Sequence, residues 1–379
     1  MTTLIEVPAG LEGVIAADTT VGDVRGEEGF YHYRQYSAVD LAASRSFEDV
    51  WYLLINTELP DKAASKAFAA RVAGLRELPS GLEAVMAPLA SGAAPLDVLR
   101  SALSVLGAVA HWGPSMDLAP QELAAQGLIA GAVAPTILTA AWRLAQGDDP
   151  IAPRADLGHA ANYLWMLTGR EADEDHVRAL EQYLITTIDH GFNASTFAAR
   201  VITSTGADMA AALVGAVGAL SGPLHGGAPS RALAMLDAIG KPEAAEKWVR
   251  DAVVAGDRIM GFGHRVYKTD DPRSVFMREV AQRLGGDLPA FAVQVERTVI
   301  DVLAELKPGR QLYTNVEFYA GVVMNACGIP REMFTPTFAS SRTIGWVANI
   351  LEQAAHNRLI RPTARYVGPP APAPVPEPE

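Results

Sequence analysis

The sequence predicts an almost wholly α-helical protein with a small β element near its N-terminus. Three observations carry that prediction. Apolar residues recur at helical spacing along most of the chain, strand-like alternation is confined to a short early stretch, and no βαβ alternation is present. A chain of 379 residues with 49% hydrophobic and 20% charged positions can bury a large core. It exceeds the size at which one core is easily built, so two domains, or one domain with a lobe, are expected.

In chain order, Val14–Ala17 and Phe30–Tyr36 are the strand candidates, with Gly26 and Gly29 placed to supply a turn. Phe47, Val50, Trp51 and Leu54 fall on one helical face, and Leu157, Ala160, Ala161 and Leu164 repeat the spacing with Gly169 as a stop. Val177, Leu180, Leu184 and Ile188 follow an acidic stretch, Glu171 to Asp175, that suits the positive end of a helix dipole. Val295, Val299, Val302 and Leu306 form a further stripe. The apolar runs 123–142 and 209–230 contain Pro135 and Pro223 and are rich in Ala and Gly, so buried helices are expected there rather than membrane spans. From Gly368 onward the chain is proline-rich and without apolar period, which predicts an extended end. No internal repeat is present.

The formal charge of −12, from 31 Lys and Arg against 43 Asp and Glu, argues against nucleic acid or an anionic membrane as the main partner. The single cysteine, Cys327, rules out an intrachain disulfide framework and suits a reducing compartment. The opening MTTLIEVPAG has neither the basic nor the apolar region of a secretory signal, so a cytoplasmic location is expected. There is no glycine-rich phosphate loop after a strand, no G-x-S-x-G elbow and no HExxH.

Four features carry unusual chemistry. In Ser221-Gly-Pro-Leu-His-Gly-Gly-Ala-Pro229, His225 sits where glycines allow a sharp turn close to a ligand, although a histidine so flanked also suits a plain loop. In Gly261-Phe-Gly-His-Arg-Val-Tyr-Lys268 and Asp271-Pro-Arg273, His264 stands among Arg265, Lys268 and Arg273, a set suited to polyanions or to a solvated turn. Glu317 lies between apolar and aromatic neighbours, where burial would raise its pKa and make it a better proton acceptor, although a lone Glu in such a run also suits solvent or a structural Arg. Arg342 and Arg361 lie in the C-terminal region, each also readable as a surface ion-pair residue. His225, His264 and Glu317 also fit a two-histidine, one-carboxylate metal site, a reading that explains none of the arginines.

Taken together and in order, these segments resemble the citrate synthase family over nearly the whole chain. Gly10–Ala16 and Tyr33–Pro60 look like the family's opening helices, and Asp189-His-Gly-Phe-Asn-Ala-Ser195, the GPLHGG and GFGHRVYK segments and Asn315-Val-Glu-Phe-Tyr319 follow. The resemblance implies an all-α fold with a large domain from residues 1–220 and 328–367, a small domain inserted at 221–327, and a disordered proline-rich tail at 368–379. It implies condensation of acetyl-CoA with oxaloacetate and water to citrate and CoA, with the site in the interdomain cleft. Glu317 takes the base position, His225 the thioester-oxygen donor and His264 the group that activates oxaloacetate. Arg273, Arg342, Arg361 and His190 match the oxaloacetate-binding positions. Arg265 and Lys268 correspond to CoA phosphate contacts, and Gly261 and Gly263 to backbone near the adenine.

No permanently bound cofactor and no metal are implied. The shorter members are homodimers, with Arg361 reaching the partner's site and without the NADH control of the longer hexameric members. The chain departs from the common pattern in Glu317 for Asp, Pro229 for Asn, and Thr363 where a second arginine usually follows Arg361. 2-Methylcitrate synthesis from propionyl-CoA and a non-catalytic dicarboxylate or CoA binder are the alternatives.

Overall fold

The computed structural model is 62% helix and 3% strand. It describes residues 4–225, 228–264, 266–310 and 312–375, with the backbone alone for Ala228 and Pro229. An antiparallel sheet of β1 (Gly22–Arg25), β2 (Phe30–Tyr33) and β3 (Tyr36–Ser37) opens the fold, with Gly22 opposite Tyr33 and Arg25 opposite Phe30. Sixteen α-helices follow among the described residues. The first ten are α1 (Ala38–Ser44), α2 (Phe47–Asn56), α3 (Lys62–Ala73), α4 (Ser80–Ala90), α5 (Pro95–Val109), α6 (Pro120–Gln146), α7 (His159–Thr168), α8 (Glu174–Thr187), α9 (Ala194–Ser204) and α10 (Met209–Leu220). The remainder are α11 (Ala228–Ile239), α12 (Ala245–Ala255), α13 (Pro272–Leu284), α14 (Asp287–Leu306), α15 (Val316–Ala326) and α16 (Phe334–Ala355).

Each helical stripe in the sequence falls on a helix, with boundaries set by local chemistry. Ser46 caps α2 by accepting the Asp49 amide, and Gly169 ends α7 in the left-handed conformation, φ 74°. Leu157 stays outside α7, because Gly158 is its N-cap. Glu174 and Asp175, rather than the whole acidic stretch, form the first turn of α8.

Two local expectations fail. Val14–Ala17 is not a strand: β2 takes Gly22–Arg25 as its partner across the Gly26–Gly29 turn, leaving the earlier segment unburied and without a ladder. Gly10–Ala16 is not helical beyond a 3₁₀ turn at Ala9–Leu11, since Gly10, Leu11 and Gly13 all have positive φ.

One contiguous apolar core runs through the chain, with α16 at its centre, nearly every residue of it buried from Phe334 to Ile350. α16 packs on α6, α8, α9 and α10; α13 and α15 pack on each other and on α8, α11 on α15 and α16, and α12 on α14. α6 is long and apolar enough to cross a membrane, yet 78% of its apolar window is buried inside the protein. α10, the other apolar run, is shorter. Residues 368–375 are exposed and form neither helix nor strand; 376–379 lie outside the described residues.

The closest approach that matters for the site is at Gly345. A Cβ there would lie 2.0 Å from the carbonyl oxygen of Ile188, so only glycine lets α16 pass this near the end of α8. Gly345→Ala should therefore lower the unfolding free energy by roughly 1–3 kcal/mol. Urea denaturation measures this directly, and an unchanged midpoint would show that the two helices do not touch as described.

Candidate active site

The site is organised around the end of α8. An α-helix cannot satisfy its last four carbonyls internally, and here other elements satisfy all four. Ser341 donates to Leu184 O at 2.5 Å, Tyr33 to Ile185 O at 2.9 Å, Tyr31 to Thr186 O at 3.2 Å and Arg342 Nε to Thr187 O at 2.9 Å. Beyond this end, buried Asp189 accepts the Asn349 side-chain amide at 3.1 Å and the Gly191 backbone amide at 3.2 Å. The loop from Asp189 to Ser195 is thus held from both sides, and it contributes to two groups of side chains.

The first group surrounds His264. Gly263 N donates to Tyr313 O at 2.7 Å and Asn315 N to Gly261 O at 2.9 Å, with Phe262 bridged to Thr314. This short zipper sets His264 beside the start of α15. The imidazole Nδ1 accepts the Val266 and Tyr267 amides at 3.0 and 3.1 Å, so in the neutral ring Nε2 carries the proton. Nε2 lies 3.2 Å from Arg273 Nη2. Two N–H groups thus converge on one region, the arrangement that suits a carbonyl or carboxylate oxygen between them. His190 Nε2 is 3.0 Å from the Tyr267 hydroxyl, and its ring stands 5.8 Å from that of His264.

Arg273 is buried and paired with Asp271, which caps α13 and accepts Arg273 Nε at 3.0 Å and Nη2 at 2.8 Å. Burial opposes the guanidinium's charge, but Asp271 outweighs it and holds the pKa above the ordinary arginine value. Asp271 also accepts the Val316 amide at 3.1 Å, which ties the first turn of α15 to α13. Glu317 occupies that same turn, its amide capped by Asn315 Oδ1 at 3.1 Å. Burial raises its carboxyl pKa to about 7, with Arg273 pulling down and Asp271 pushing up. The helix N-terminus favours the anion, so burial outweighs the dipole.

The second group surrounds His225. Its Nε2 lies 3.4 Å from the Ser195 amide and 2.8 Å from the Ser195 hydroxyl, which in turn accepts Trp346 Nε1 at 3.1 Å and lies 2.7 Å from Asn193 Oδ1. Where Nε2 accepts the Ser195 amide, the neutral ring donates through Nδ1. Burial first, and cations second, hold all three imidazoles neutral. His225 and His264 fall to about 4, through Arg342 and Arg273 respectively, and His190 falls well below its usual value. Arg342 itself is buried, stacked 4.5 Å over the Phe338 ring, and forms no ion pair among the described residues. Burial lowers its pKa, opposed chiefly by Asp189. A buried, unpaired guanidinium is poised to gain from an anionic ligand.

A family model described as citrate synthase, C-terminal domain, matches residues 10–363. The chain belongs to the citrate synthase family. It is similar to a citrate synthase of Deinococcus radiodurans, 36% identical over 363 residues with 96% of each chain covered. It is also similar to a 2-methylcitrate synthase of Mycobacterium tuberculosis, 38% identical over 367 residues, covering 96% of this chain and 91% of that one. Among solved structures, the citrate synthase of Thermotoga maritima superposes with a TM-score of 0.87 at 36% identity, covering 98% of both chains. That of Thermoplasma acidophilum, in a ternary complex with carboxymethyl coenzyme A and oxaloacetate, gives 0.88 at 30%, again covering 98% of both.

Most of the site residues expected from the sequence lie together: His190, His264, Arg273 and Glu317 in one group, His225 in the other, and Arg342 between them. Lys268 is exposed on the His264 loop. Gly261 and Gly263, both at positive φ, spend Gly261 O and the Gly263 N and O on residues 313–315. Arg265 lies outside the described residues. Arg361 does not join the groups within this chain. It is exposed beyond α16, where Ile360 N donates to Ser204 Oγ at 3.0 Å, and Ser204 lies about 13 Å along α9 from Ser195. Among the described residues no cluster of three or more His, Cys, Asp or Glu could hold a metal ion.

Sequence reasoning assigned no role to Asp271, Ser195, Asn193, Trp346 or Tyr267. The signal for Asp271 was present, an Asp before Pro272 at the start of a helix. The turn expected at Gly26–Gly29 is present, and its contact with the His264 loop carries no sequence signal: Lys268 N donates to Gly26 O at 3.1 Å, and a Cβ on Gly26 would meet Val266 O at 2.1 Å. Gly26→Ala should push that loop off the turn. Deuterium uptake at 266–270 should rise about tenfold or more in rate, equivalent to a local loss of roughly 1–3 kcal/mol; unaltered uptake would show that the turn does not restrain the loop.

Proposed function

We propose that the protein condenses acetyl-CoA with oxaloacetate and water, releasing citrate and CoA. The observation that carries this reading is a buried guanidinium 3.2 Å from an imidazole oriented by two backbone amides, with the Glu317 carboxyl, pushed up by burial to about 7, near enough to feel the same guanidinium. Removing a proton from a thioester methyl group is hard because the carbon acid is weak; a base raised toward neutrality and a donor at the forming enol oxygen lower that barrier together.

In this mechanism Glu317 takes the methyl proton while His225 Nδ1–H donates to the thioester oxygen. The enol carbon attacks the ketone of oxaloacetate, and His264 Nε2–H polarises that ketone and protonates the alkoxide. Water then cleaves the thioester. Arg342 and the free edge of Arg273 hold the oxaloacetate carboxylates, with His190 as a further donor. No resident cofactor takes part. Lys268 and Arg265 are assigned to the CoA phosphates, and Gly261 and Gly263 to the backbone beside the adenine.

The same reading takes 221–327 as a small domain that closes over the ligands, and a second copy of the chain as the owner of the site that Arg361 enters. The exposure of Arg361 and its distance along α9 support that assignment. The lone cysteine supports a cytoplasmic location.

The likeness to a 2-methylcitrate synthase keeps propionyl-CoA as the second substrate reading. One methylene separates the two acyl groups, worth about 1–3 kcal/mol of discrimination. Comparing kcat/KM for acetyl-CoA and propionyl-CoA decides it: preference for acetyl-CoA is expected, and a large propionyl preference would reverse the ranking.

Glu317→Gln should abolish CoA release in a thiol assay while leaving oxaloacetate binding by calorimetry nearly unchanged. Retained turnover would remove Glu317 from the base role. In the parent protein, protonating this carboxylate removes the base, so kcat/KM for the acyl-CoA should fall as pH drops through about 7. A profile flat down to the ordinary glutamate range would contradict the assignment.

A further inference from the structure

We propose that Glu296 is a positioning residue that holds Glu317 in register with Arg273 and His264, an inference that rests on the reading of Glu317 as the base. Glu296 lies on α14, outside both groups of site residues, and is only 2% exposed. Its Oε1 accepts the Thr314 hydroxyl at 2.6 Å; its Oε2 accepts the Tyr319 phenol at 2.5 Å and Arg278 Nη1 at 3.2 Å. Those three donors belong to the three elements that carry the chemistry. Thr314 pairs with Phe262 in the bridge that precedes His264. Tyr319 follows Glu317 on α15, so Thr314 and Tyr319 bracket the base. Arg278 lies on α13, further along the helix whose first turn holds Arg273.

A carboxylate this buried is costly unless its lone pairs are used. Here they meet a hydroxyl, a phenol and a guanidinium, and charge-assisted bonds of this kind are short and directional. Burial and the adjacent Glu296 charge both keep the Tyr319 phenol protonated, so it remains a donor. Asp271 already joins α13 to the start of α15 at the ligand side; Glu296 joins the same two helices from behind. With both braces in place, α15 can neither slide nor rotate against α13 without breaking hydrogen bonds to a buried charge. Glutamine at this position keeps the volume, loses the charge and turns an N–H₂ toward donors.

The test compares the full-length protein with Glu296→Gln, Tyr319→Phe and the double variant, reading CoA release, oxaloacetate affinity by calorimetry and the unfolding midpoint. A base displaced by about 1 Å can lose about a hundredfold in rate, so kcat for Glu296→Gln should fall by that order, with oxaloacetate affinity within about twofold. Tyr319→Phe should lose about tenfold, the worth of one hydrogen bond to a charged group. The double variant should be no worse than Glu296→Gln alone, because the two residues act as one unit.

Full kcat in a folded Glu296→Gln, or losses that simply add, would overturn the proposal. So would kcat and oxaloacetate affinity falling in parallel, the mark of a general loosening. Should Glu296→Gln fail to fold, Tyr319→Phe decides: a selective kcat loss supports the brace, and full activity defeats it. A parent protein that binds oxaloacetate yet releases no CoA from acetyl-CoA or propionyl-CoA would instead defeat the reading of Glu317, and this inference with it.

Discussion

Four carbonyl oxygens at the end of α8 govern the layout of the site. Left bare in a dry interior, each would cost free energy comparable to a lost hydrogen bond. Two tyrosines from β2 and two side chains from α16 supply the donors. In doing so they fix where the chain emerges, and hence where Asp189, His190 and Ser195 stand. Gly345 is part of the same solution, since a side chain at that point would keep α16 too distant for Ser341 and Arg342 to reach.

Charge is arranged as economically as the backbone. Among the buried groups at the site, Arg273 has its counter-charge in Asp271, whereas Arg342 has none within ion-pair distance. The imidazoles stay neutral because burial and these two cations both disfavour protonation. A neutral imidazole whose one nitrogen is occupied by backbone amides presents its proton from the other in a fixed direction, which a freely titrating surface histidine cannot do. Asp271 serves three elements of order at once, as cap of α13, partner of Arg273 and acceptor for the first turn of α15.

Much of this was legible in the sequence. Helical spacing marked α2, α7, α8 and α14, because a single buried face imposes its period on the residues. The ordered motifs pointed to His225, His264, Arg273 and Glu317, since glycine-flanked histidines and a carboxylate among aromatic neighbours are unusual compositions. What remained hidden depends on partners distant in the chain. Val14–Ala17 has as much strand character as Gly22–Arg25, and only pairing with Phe30–Tyr33 separates them. Ser195 and Trp346 are ordinary residues until α9 and α16 bring them together at 3.1 Å. The contact of Gly26 with Val266 leaves no periodic trace at all.

The donors that finish α8 come from opposite ends of the polypeptide, Tyr31 and Tyr33 more than 150 residues before it and Ser341 and Arg342 as far after it. During translation, an emerging α8 finds half of its terminal acceptors already served by strands made earlier. The other half wait until α16 has left the ribosome. Nascent chains halted short of residue 341 therefore lack the Ser341 and Arg342 donors, and the end of α8 can take its final arrangement only in the last tenth of synthesis.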